Sequence, residues 1–445
     1  MGRLRPRANG ITSSNKIVAN IFISFIGAGM LGLPYAFKEA GLVEGAVIMS
    51  VVGYLSTSAM MMLIDCKYAI LSAGGRAGGR SIVLEKKAPL LPPSSSDTDS
   101  DSESGGGDVD GGGGTSVRCS DLTYGDVGYY AFGAKGKRLV DLAVVISQVG
   151  FCCGYLIYLC KNLSLYAPVL SQNQWLLILL PPLYCLTLLR HLNRLAIFSL
   201  FAQVSNVFAL TVVFWFDFSH SESVPFVPKE FSLKGLPFFF SIAIYCYEGA
   251  GLILSMEESV AESKRARFRT IFLLTMIGLT VLYICFGASG YLSFGPHTED
   301  IITLNLPHGD GILDFAVLVK VCLGISLFFT YPMMLFPVSH LLDKTCNLHS
   351  VNKGNFMRLL VVAATGVVVL IIPNFGILIS LIGATCCTLL AFILPALFHL
   401  KIFKSRMTRE QWYFNWLLVI LGCVGTVVGL WDTFDRMSND TVIKQ

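Results

Sequence analysis

The sequence predicts an all-α membrane protein with eleven transmembrane helices. Of its 445 residues, 54% are hydrophobic and only 14% are charged, whereas soluble domains carry charge at about a quarter of their positions. The apolar residues form long runs, such as residues 139–160 and 195–216, and about 20 apolar residues in a row match the thickness of a bilayer core. So many runs exclude a signal peptide, and they also exclude a soluble protein, which could bury only one or two of them.

The apolar runs divide the chain into eleven spans, numbered here in chain order. They lie near residues 16–37, 43–70, 139–162, 174–190, 194–217, 235–256, 270–291, 313–336, 357–373, 375–400 and 412–431. Span 4 is short, and Pro181 and Pro182 are expected to interrupt it, because proline removes a helical hydrogen bond. The membrane domain is therefore predicted over 16–431, between an N-terminal tail at 1–15 and a C-terminal tail at 432–445.

The distribution of lysine and arginine predicts the orientation of the chain. If the N-terminus lies in the cytosol, 25 of the 33 basic residues fall in cytosolic segments, six fall in segments on the opposite side, and two lie within spans. Cytosolic segments of membrane proteins carry such an excess of positive charge. An odd number of spans then places the C-terminus on the luminal or external side.

The segment 72–120, between spans 2 and 3, differs in composition from the rest of the chain. Residues 94–114 are almost entirely serine, aspartate, glutamate, glycine and threonine, so they cannot bury enough apolar surface to fold. We expect a disordered acidic cytosolic loop, either a phosphorylated regulatory segment or a plain solvated linker. The thirteen cysteines lie mostly inside the apolar runs and show no metal-ligand spacing. Neither a disulfide framework nor a metal or other cofactor is predicted.

Spans 1 and 6 are predicted to be interrupted within the membrane. Span 1 contains Gly27, Gly29 and Gly32 followed by Pro34, and the run 245–251 of span 6 contains two glycines and the acidic Glu248. Backbone groups in hydrocarbon must be paired within a helix unless they line a cavity, so a broken helix indicates a binding site. Glycine-interrupted segments heading two groups of five spans are typical of inverted-repeat transporters. The alternative is close helix packing through small residues.

The exposed helix ends suit a zwitterion. A half-helix N-terminus attracts a carboxylate, and a half-helix C-terminus with unwound carbonyls attracts an ammonium group or a cation. An amino acid offers both groups, and the neighbouring apolar and aromatic side chains favour one with a neutral side chain. Those neighbours are Ile26, Met30, Tyr155 and Tyr245.

Glu248 is the most informative residue of the candidate site. A charged side chain at mid-membrane costs about 2.5–3.5 kcal/mol even on lenient scales, so it is rarely there for packing. Two roles stay open at this point, namely carrying a coupling proton and fixing the unwound backbone of span 6. Thr330 in span 8 is a second polar residue within the membrane, and its hydroxyl is also able to bond to its own helix.

These motifs resemble those of the amino acid/auxin permease family, within the amino-acid–polyamine–organocation superfamily. The resemblance runs from about Asn15 to Trp431, without the 72–120 loop, and is strongest to plant vacuolar amino acid exporters. It is carried by GAGMLGLPYAF at 27–37, QVGFC at 148–152, GYLI at 154–157, YCYEG at 245–249, YLSFG at 291–295 and ILPALFHL at 393–400.

The resemblance implies a LeuT-like inverted 5+5 repeat with broken helices 1 and 6, and export of neutral amino acids from the vacuole to the cytosol, coupled to protons. It implies substrate contacts in span 1 and span 6, at Gly27, Ala28, Gly29, Tyr245, Glu248 and Gly249. Sodium-coupled relatives have an asparagine four residues before the first glycine, where this chain has Ile23. That departure argues against sodium, although Thr330 still fits the sodium-coupled pattern.

Three functional alternatives follow from the sequence. The first is a secondary transporter of an acidic organelle, with amino acids, protons and the lipid bilayer as its partners. The second is a plasma-membrane amino acid or auxin permease. The third is a transporter-like amino acid sensor that signals through the cytosolic loop. Enzymatic activity is not predicted, because no nucleophile–base or metal constellation appears in the loops, and nothing in the sequence indicates nucleic-acid binding.

Overall fold

The described part of the chain is all-helical. The computed structural model describes residues 11–76, 122–167, 169–188, 196–220, 227–306, 315–345 and 350–443. Its α-helices are α1 Ser14–Phe25, α2 Leu33–Ala40, α3 Leu42–Arg76, α4 Tyr124–Tyr166, α5 Gln172–Thr187, α6 Ala196–His220, α7 Leu236–Cys246, α8 Ile253–Ser259, α9 Glu262–Phe294, α10 Phe315–Thr345, α11 Val351–Ile371, α12 Phe375–Ile382, α13 Leu394–Ile402 and α14 Arg409–Ile443.

Among the described residues, seven helices are long and apolar enough to cross a membrane. The number becomes eight if α1 and the bent segment Ala28–Ala40 that follows it are counted as one span. The helices of predicted spans 4, 5 and 6 are shorter in the described residues. Span 4 corresponds to the 16-residue α5, span 5 to the apolar part of α6 from Phe201 to Asp217, and the first part of span 6 to α7. The chain is therefore an integral membrane protein by length and composition, and eleven spans remain a prediction.

Span 4 departs from the sequence expectation. Helix α5 runs without interruption from Gln172 to Thr187 and includes both Pro181 and Pro182. The prediction that these prolines interrupt the helix is wrong. Ser171 is the N-cap residue of α5, and its hydroxyl accepts a hydrogen bond from the Gln174 N–H in a capping box. This capping box fixes the start of the helix at Gln172. Most of the predicted acidic loop at 72–120 lies outside the described residues.

The predicted tenth span is one continuous helix whose middle part is π-helical. Between α12 and α13 the backbone takes π-helical geometry over Gly383–Cys387 and Leu389–Ile393, a feature that often marks a functional site. This stretch packs against α7. The contact requires glycine at position 383, because a Cβ there would lie 1.9 Å from the backbone carbonyl oxygen of Ser241.

Replacing Gly383 by alanine is expected to destabilise the protein. The added methyl group must push α7 away from the π segment, and such overpacking costs about 1–3 kcal/mol. The midpoint of thermal unfolding of the detergent-purified protein measures the effect. Gly278→Ala in α9 is the matched control, because a Cβ at Gly278 meets nothing within 4 Å. Equal midpoints for the two variants would contradict the close approach.

Candidate functional site

The chain of predicted span 1 leaves helical geometry at Ile26 and Gly27. Helix α1 ends at Phe25, Ile26 has φ −76° and ψ 101°, and Gly27 is extended at φ −135° and ψ −173°. A 3₁₀ turn over Ala28–Gly32 then leads into α2, and the two helical parts are bent by 54°. Main-chain groups on both sides of this bend are therefore left without their usual helical partners.

The chain of predicted span 6 also leaves helical geometry. Helix α7 ends at Cys246 and α8 begins at Ile253. In the segment 247–252 between them, the Glu248 N–H donates to the Tyr245 carbonyl at 3.3 Å and the Leu252 N–H donates to the Gly249 carbonyl at 2.9 Å. These are turn-like contacts, so the segment crosses this part of the bundle as irregular backbone.

One buried side chain joins the two interruptions. The Tyr283 hydroxyl, on α9, lies 2.7 Å from the carbonyl oxygen of Phe25 and 3.3 Å from that of Cys246, which are the last residues of α1 and α7. Tyr283 is 0% exposed. It therefore supplies a donor to carbonyls that have lost their helical partners. The sequence analysis did not identify Tyr283, because its partners are 258 and 37 residues away along the chain.

The Glu248 carboxylate interacts with the same irregular segment. It accepts hydrogen bonds from the backbone N–H groups of Ala250 and Gly251, just before α8. Its Oε2 atom is buried and has no hydrogen-bond partner. Tyr124 on α4 and Cys386 and Cys387 of the π segment lie in the neighbourhood of the carboxylate. The hydrogen bonds from Ala250 and Gly251 allow the carboxylate to hold the irregular backbone of span 6 in place.

Two of the predicted site glycines allow the two interrupted segments to touch. A Cβ on Gly29 would lie 2.6 Å from the ring of Tyr245, and a Cβ on Gly249 would lie 2.4 Å from the ring of Phe25. Any larger residue at either position would separate the segments. The structure thus places Gly29 against Tyr245 and Gly249 against Phe25, and close packing is part of the role of both glycines.

Helix α4 completes the surroundings of Tyr245. The rings of Phe151 and Tyr245 meet edge to face with their centroids 5.0 Å apart, and the Tyr245 hydroxyl lies 3.7 Å from the place that a Cβ on Gly154 would take. The predicted contact residue Tyr155 is buried on the same helix. Spans 1, 3 and 6 therefore meet at this tyrosine.

The remaining predicted residues line a small cavity on the other side of span 1. A cavity of about 20 Å³ is bounded by Ile26, Gly27, Ala28 and Met30 together with residues of α6, α9 and α10. A space of this size holds about one water molecule and is too small for an amino acid. Tyr155, Tyr245, Glu248 and Gly249 do not line it, so the predicted contact residues do not share this cavity.

Thr330 makes a local contact on α10. Its hydroxyl donates to the carbonyl of Ser326, one turn earlier, at 2.7 Å. Ser326 in turn lies on the face of α10 that meets α6, because its hydroxyl approaches the Ala202 carbonyl at 3.5 Å. The structure thus shows the Thr330 hydroxyl bonded to its own helix.

The chain is fastened at the end of α8, on the side predicted to be cytosolic. Ile11 pairs with the strand-like turn after α8, because its N–H donates to the Ser259 carbonyl and its carbonyl accepts from Ala261. Glu257, which is 2% exposed, bonds to Lys67 at 2.8 Å and to the Tyr68 hydroxyl at 2.5 Å. These contacts tie the second half of span 6 to the N-terminal segment and to α3.

The comparisons with known proteins identify a family for this chain. A family model described as "Transmembrane amino acid transporter protein" matches residues 11–78 and 114–435, which leaves out most of the acidic loop. The chain is 30% identical to the amino acid transporter AVT3C of Arabidopsis thaliana, covering 96% of this chain and 92% of the relative. It is 29% identical to the amino acid transporter ANT1 of the same plant, with 95% and 92% covered.

A third relative is the amino acid transporter AVT3B of Arabidopsis thaliana, 30% identical, with 98% of this chain and 96% of the relative covered. Among solved structures, a Na⁺-coupled sialic acid symporter in its substrate-bound outward-open state matches with a TM-score of 0.43 and 9% identity. That match covers 95% of this chain and 98% of the symporter. A likeness at this level carries no argument about function.

Removing the Tyr283 hydroxyl is expected to weaken the junction of the two interruptions. Tyr283→Phe leaves buried carbonyls without a donor, at a cost of about 1–3 kcal/mol, and should lower the midpoint of thermal unfolding. Tyr247→Phe is the matched control. The Tyr247 hydroxyl donates to the Thr280 hydroxyl at 2.7 Å, and Thr280 keeps its own bond to the Met276 carbonyl. An equal decrease in the midpoint of thermal unfolding for Tyr247→Phe and Tyr283→Phe would contradict a specific role for the Tyr283 hydroxyl at the junction.

Proposed function

Because the chain belongs to the family of transmembrane amino acid transporter proteins, we propose that it is a secondary active transporter of neutral amino acids. It acts in a vacuolar or lysosome-like membrane, carries its substrate toward the cytosol and couples this movement to protons. The N-terminus is cytosolic and the C-terminus luminal, as the basic residues indicate. Eleven spans in an inverted 5+5 arrangement, with spans 1 and 6 broken, form its membrane domain.

One observation carries the proposal. The irregular backbone of span 1 and that of span 6 meet at a single buried tyrosine hydroxyl, which contacts the last carbonyl of each preceding helix. Irregular main chain at membrane depth is tolerated where it lines a cavity or is held by protein. Two interruptions at corresponding positions of the two halves are the arrangement that transporters use for a binding site near the bilayer midplane.

The chemistry of the segment fits a zwitterion. The backbone after Gly27 offers N–H groups at a helix start, where a carboxylate is stabilised. The ends of α1 and α7 offer carbonyls to an ammonium group. The surrounding side chains Phe25, Met30, Phe151 and Tyr245 are apolar or aromatic, so a charged substrate side chain would be desolvated there without a partner.

The small size of the cavity beside Gly27 supports a closed conformation. The residues around Tyr245 are packed against one another. Hydrogen bonds of Ile11 and Glu257 join the second half of span 6 to the N-terminal segment and to α3. An amino acid enters only when spans 1 and 6 move relative to the α4 and α10 side of the bundle. Transport by alternating exposure of the site requires such a movement.

Reconstituted flux tests the function. Purified protein in liposomes with an imposed pH gradient should accumulate neutral amino acids such as alanine, and accumulation should fall when the gradient is removed. Lysine and glutamate should be transported less well, because the side chains around Tyr245 are apolar or aromatic and the Glu248 carboxylate already accepts hydrogen bonds from the backbone of span 6. Empty liposomes are the control. Binding of alanine without accumulation would instead indicate a sensor, and preferred transport of lysine or glutamate would contradict the neutral substrate class.

Glu248 is proposed to hold the interrupted backbone rather than to carry the proton. Glu248→Gln keeps an oxygen that accepts from the Ala250 and Gly251 N–H groups, so it should retain most of its pH-dependent transport. Glu248→Ala removes both bonds, each worth about 1.5–3 kcal/mol to a charged acceptor, and should lose transport at least tenfold. Initial rates of alanine uptake at two pH values measure both variants. A Gln variant that binds alanine but no longer responds to the pH gradient would assign the proton to Glu248.

A further inference from the structure

The segment 295–306, between α9 and α10, is folded over the end of the bundle opposite to Ile11. It consists of two short 3₁₀ turns, Gly295–His297 and Ile302–Asn305. Asn305 closes it on itself, because its side chain accepts from the Glu299 N–H and donates to the His297 carbonyl. Lys38 on α2 holds it from one side, through a 3.0 Å bond to the Thr298 carbonyl. We call residues 295–306 the lid segment.

Asp300 is the buried anchor of the lid segment. It is 5% exposed, and its two carboxylate oxygens lie 2.8 Å and 2.5 Å from the ammonium group of Lys161 at the end of α4. Its Oδ2 atom also accepts the backbone N–H of Phe375 at 2.9 Å. One carboxylate therefore joins the lid segment to span 3 and to the first residue of α12.

The residue that Asp300 holds lies next to the candidate site. Phe375 is 0% exposed, and its ring lies 3.5 Å from the places that Cβ atoms on Gly32 and Gly154 would take. Gly154 also borders the Tyr245 hydroxyl, at 3.7 Å. The Phe375 ring is thus inserted between span 1 and span 3, between Tyr245 and the lid segment.

The N–H that Asp300 accepts would otherwise have no helical partner. Phe375 is the first residue of α12, and the first N–H groups of a helix have no acceptor within it. The neighbouring Asn374 side chain accepts the Ile377 N–H at 3.1 Å and leaves the Phe375 N–H to Asp300. A carboxylate at a helix start is also favoured by the helix dipole. These interactions fix both the start of α12 and the position of the Phe375 ring.

From this geometry we propose that Asp300 is a positioning residue for amino acid binding, which acts by holding Phe375 as the luminal wall of the substrate site. The inference rests on the proposed transport function and deepens it. With Asp300 in place, the Phe375 ring closes the site from the lumen. Release of Asp300 lets the start of α12 move and opens the site on that side, while Lys161 keeps the carboxylate in place until then.

A double-mutant cycle on alanine transport tests whether Asp300 acts through Phe375. Asp300→Ala should raise the KM for luminal alanine roughly tenfold or more, as expected for losing a bond to a charged acceptor, with a smaller change in the maximal rate. Phe375→Ala should raise it similarly. The double variant should be no worse than Phe375→Ala, because residues that act as one unit are not additive. If the effects of the two single substitutions on the KM added up in the double variant, the proposal would be overturned.

Two further variants separate positioning from folding and from general charge effects. Asp300→Asn keeps an acceptor for the Phe375 N–H, so its KM should stay within about threefold of the wild type. Glu39→Ala is the matched control. Glu39 on α2 forms a 2.8 Å ion pair with Arg436 on α14, whereas the Phe375 N–H bonds to Asp300. A KM increase in Glu39→Ala equal to that in Asp300→Ala would show that any ion pair at this end has the same effect.

A chemical readout tests the wall without relying on transport. Cys246 is buried at the site, with its sulfur 3.4 Å from the place that a Cβ on Gly29 would take. In Asp300→Ala, a membrane-impermeant thiol reagent added on the lid side of the liposomes should modify Cys246 several-fold faster than in the wild type, as measured by peptide mass. Unchanged modification in both Asp300→Ala and Phe375→Ala would overturn the proposal. A wild-type protein that shows this protection but transports no amino acid would refute the transport function alone.

Discussion

The structure depends on how main-chain groups are satisfied where two helices stop inside the membrane domain. Hydrocarbon supplies no hydrogen bonds, so every carbonyl and N–H released by an interruption needs a protein partner or a cavity. Here the carbonyls at the ends of α1 and α7 share one donor, the Tyr283 hydroxyl. The N–H groups before α8 use one acceptor, the Glu248 carboxylate. The interruptions persist because long side chains on the chain itself replace the missing helical bonds.

This arrangement of hydrogen bonds also bears on the proposed binding of a ligand. A single hydroxyl proton shared between two carbonyls leaves acceptor capacity, because each carbonyl oxygen has two lone pairs. An ammonium group brings three donors to such a place. The packed glycines Gly29 and Gly249 keep the two segments close, so a bound zwitterion would contact main chain from both halves at once. A ligand that bridges the two halves couples its own binding to their relative movement.

The sequence predicted the parts of this arrangement that local chemistry determines. Runs of apolar residues placed the helices, and clusters of glycine with Pro34 indicated where spans 1 and 6 depart from helical geometry. The family was identified correctly from six short motifs taken together, among them those at 27–37 and 245–249. The interruption of span 4 was wrong, because propensity at Pro181 and Pro182 was overridden by packing of α5 against α4, α10 and α11. Tyr283 and Asp300 were missed, since their partners are far away in sequence and neither residue type is unusual at its position.

The two ends of the bundle are fastened by different kinds of contact, and the difference bears on how the site opens. Near α8, backbone pairing of Ile11 with the turn at 259–261 joins the N-terminal segment to the second half of span 6, and Glu257 adds a buried ion pair with Lys67. At the other end, one carboxylate on a short irregular segment holds a helix start and an aromatic ring. Breaking a buried ion pair leaves a charge uncompensated and is costly, so both ends resist opening at the same time. Under the proposed transport function, a bound substrate or a proton would decide which end opens by weakening one set of these contacts. Opening at only one end at a time is what a transporter needs in order to move a substrate without forming a continuous pore.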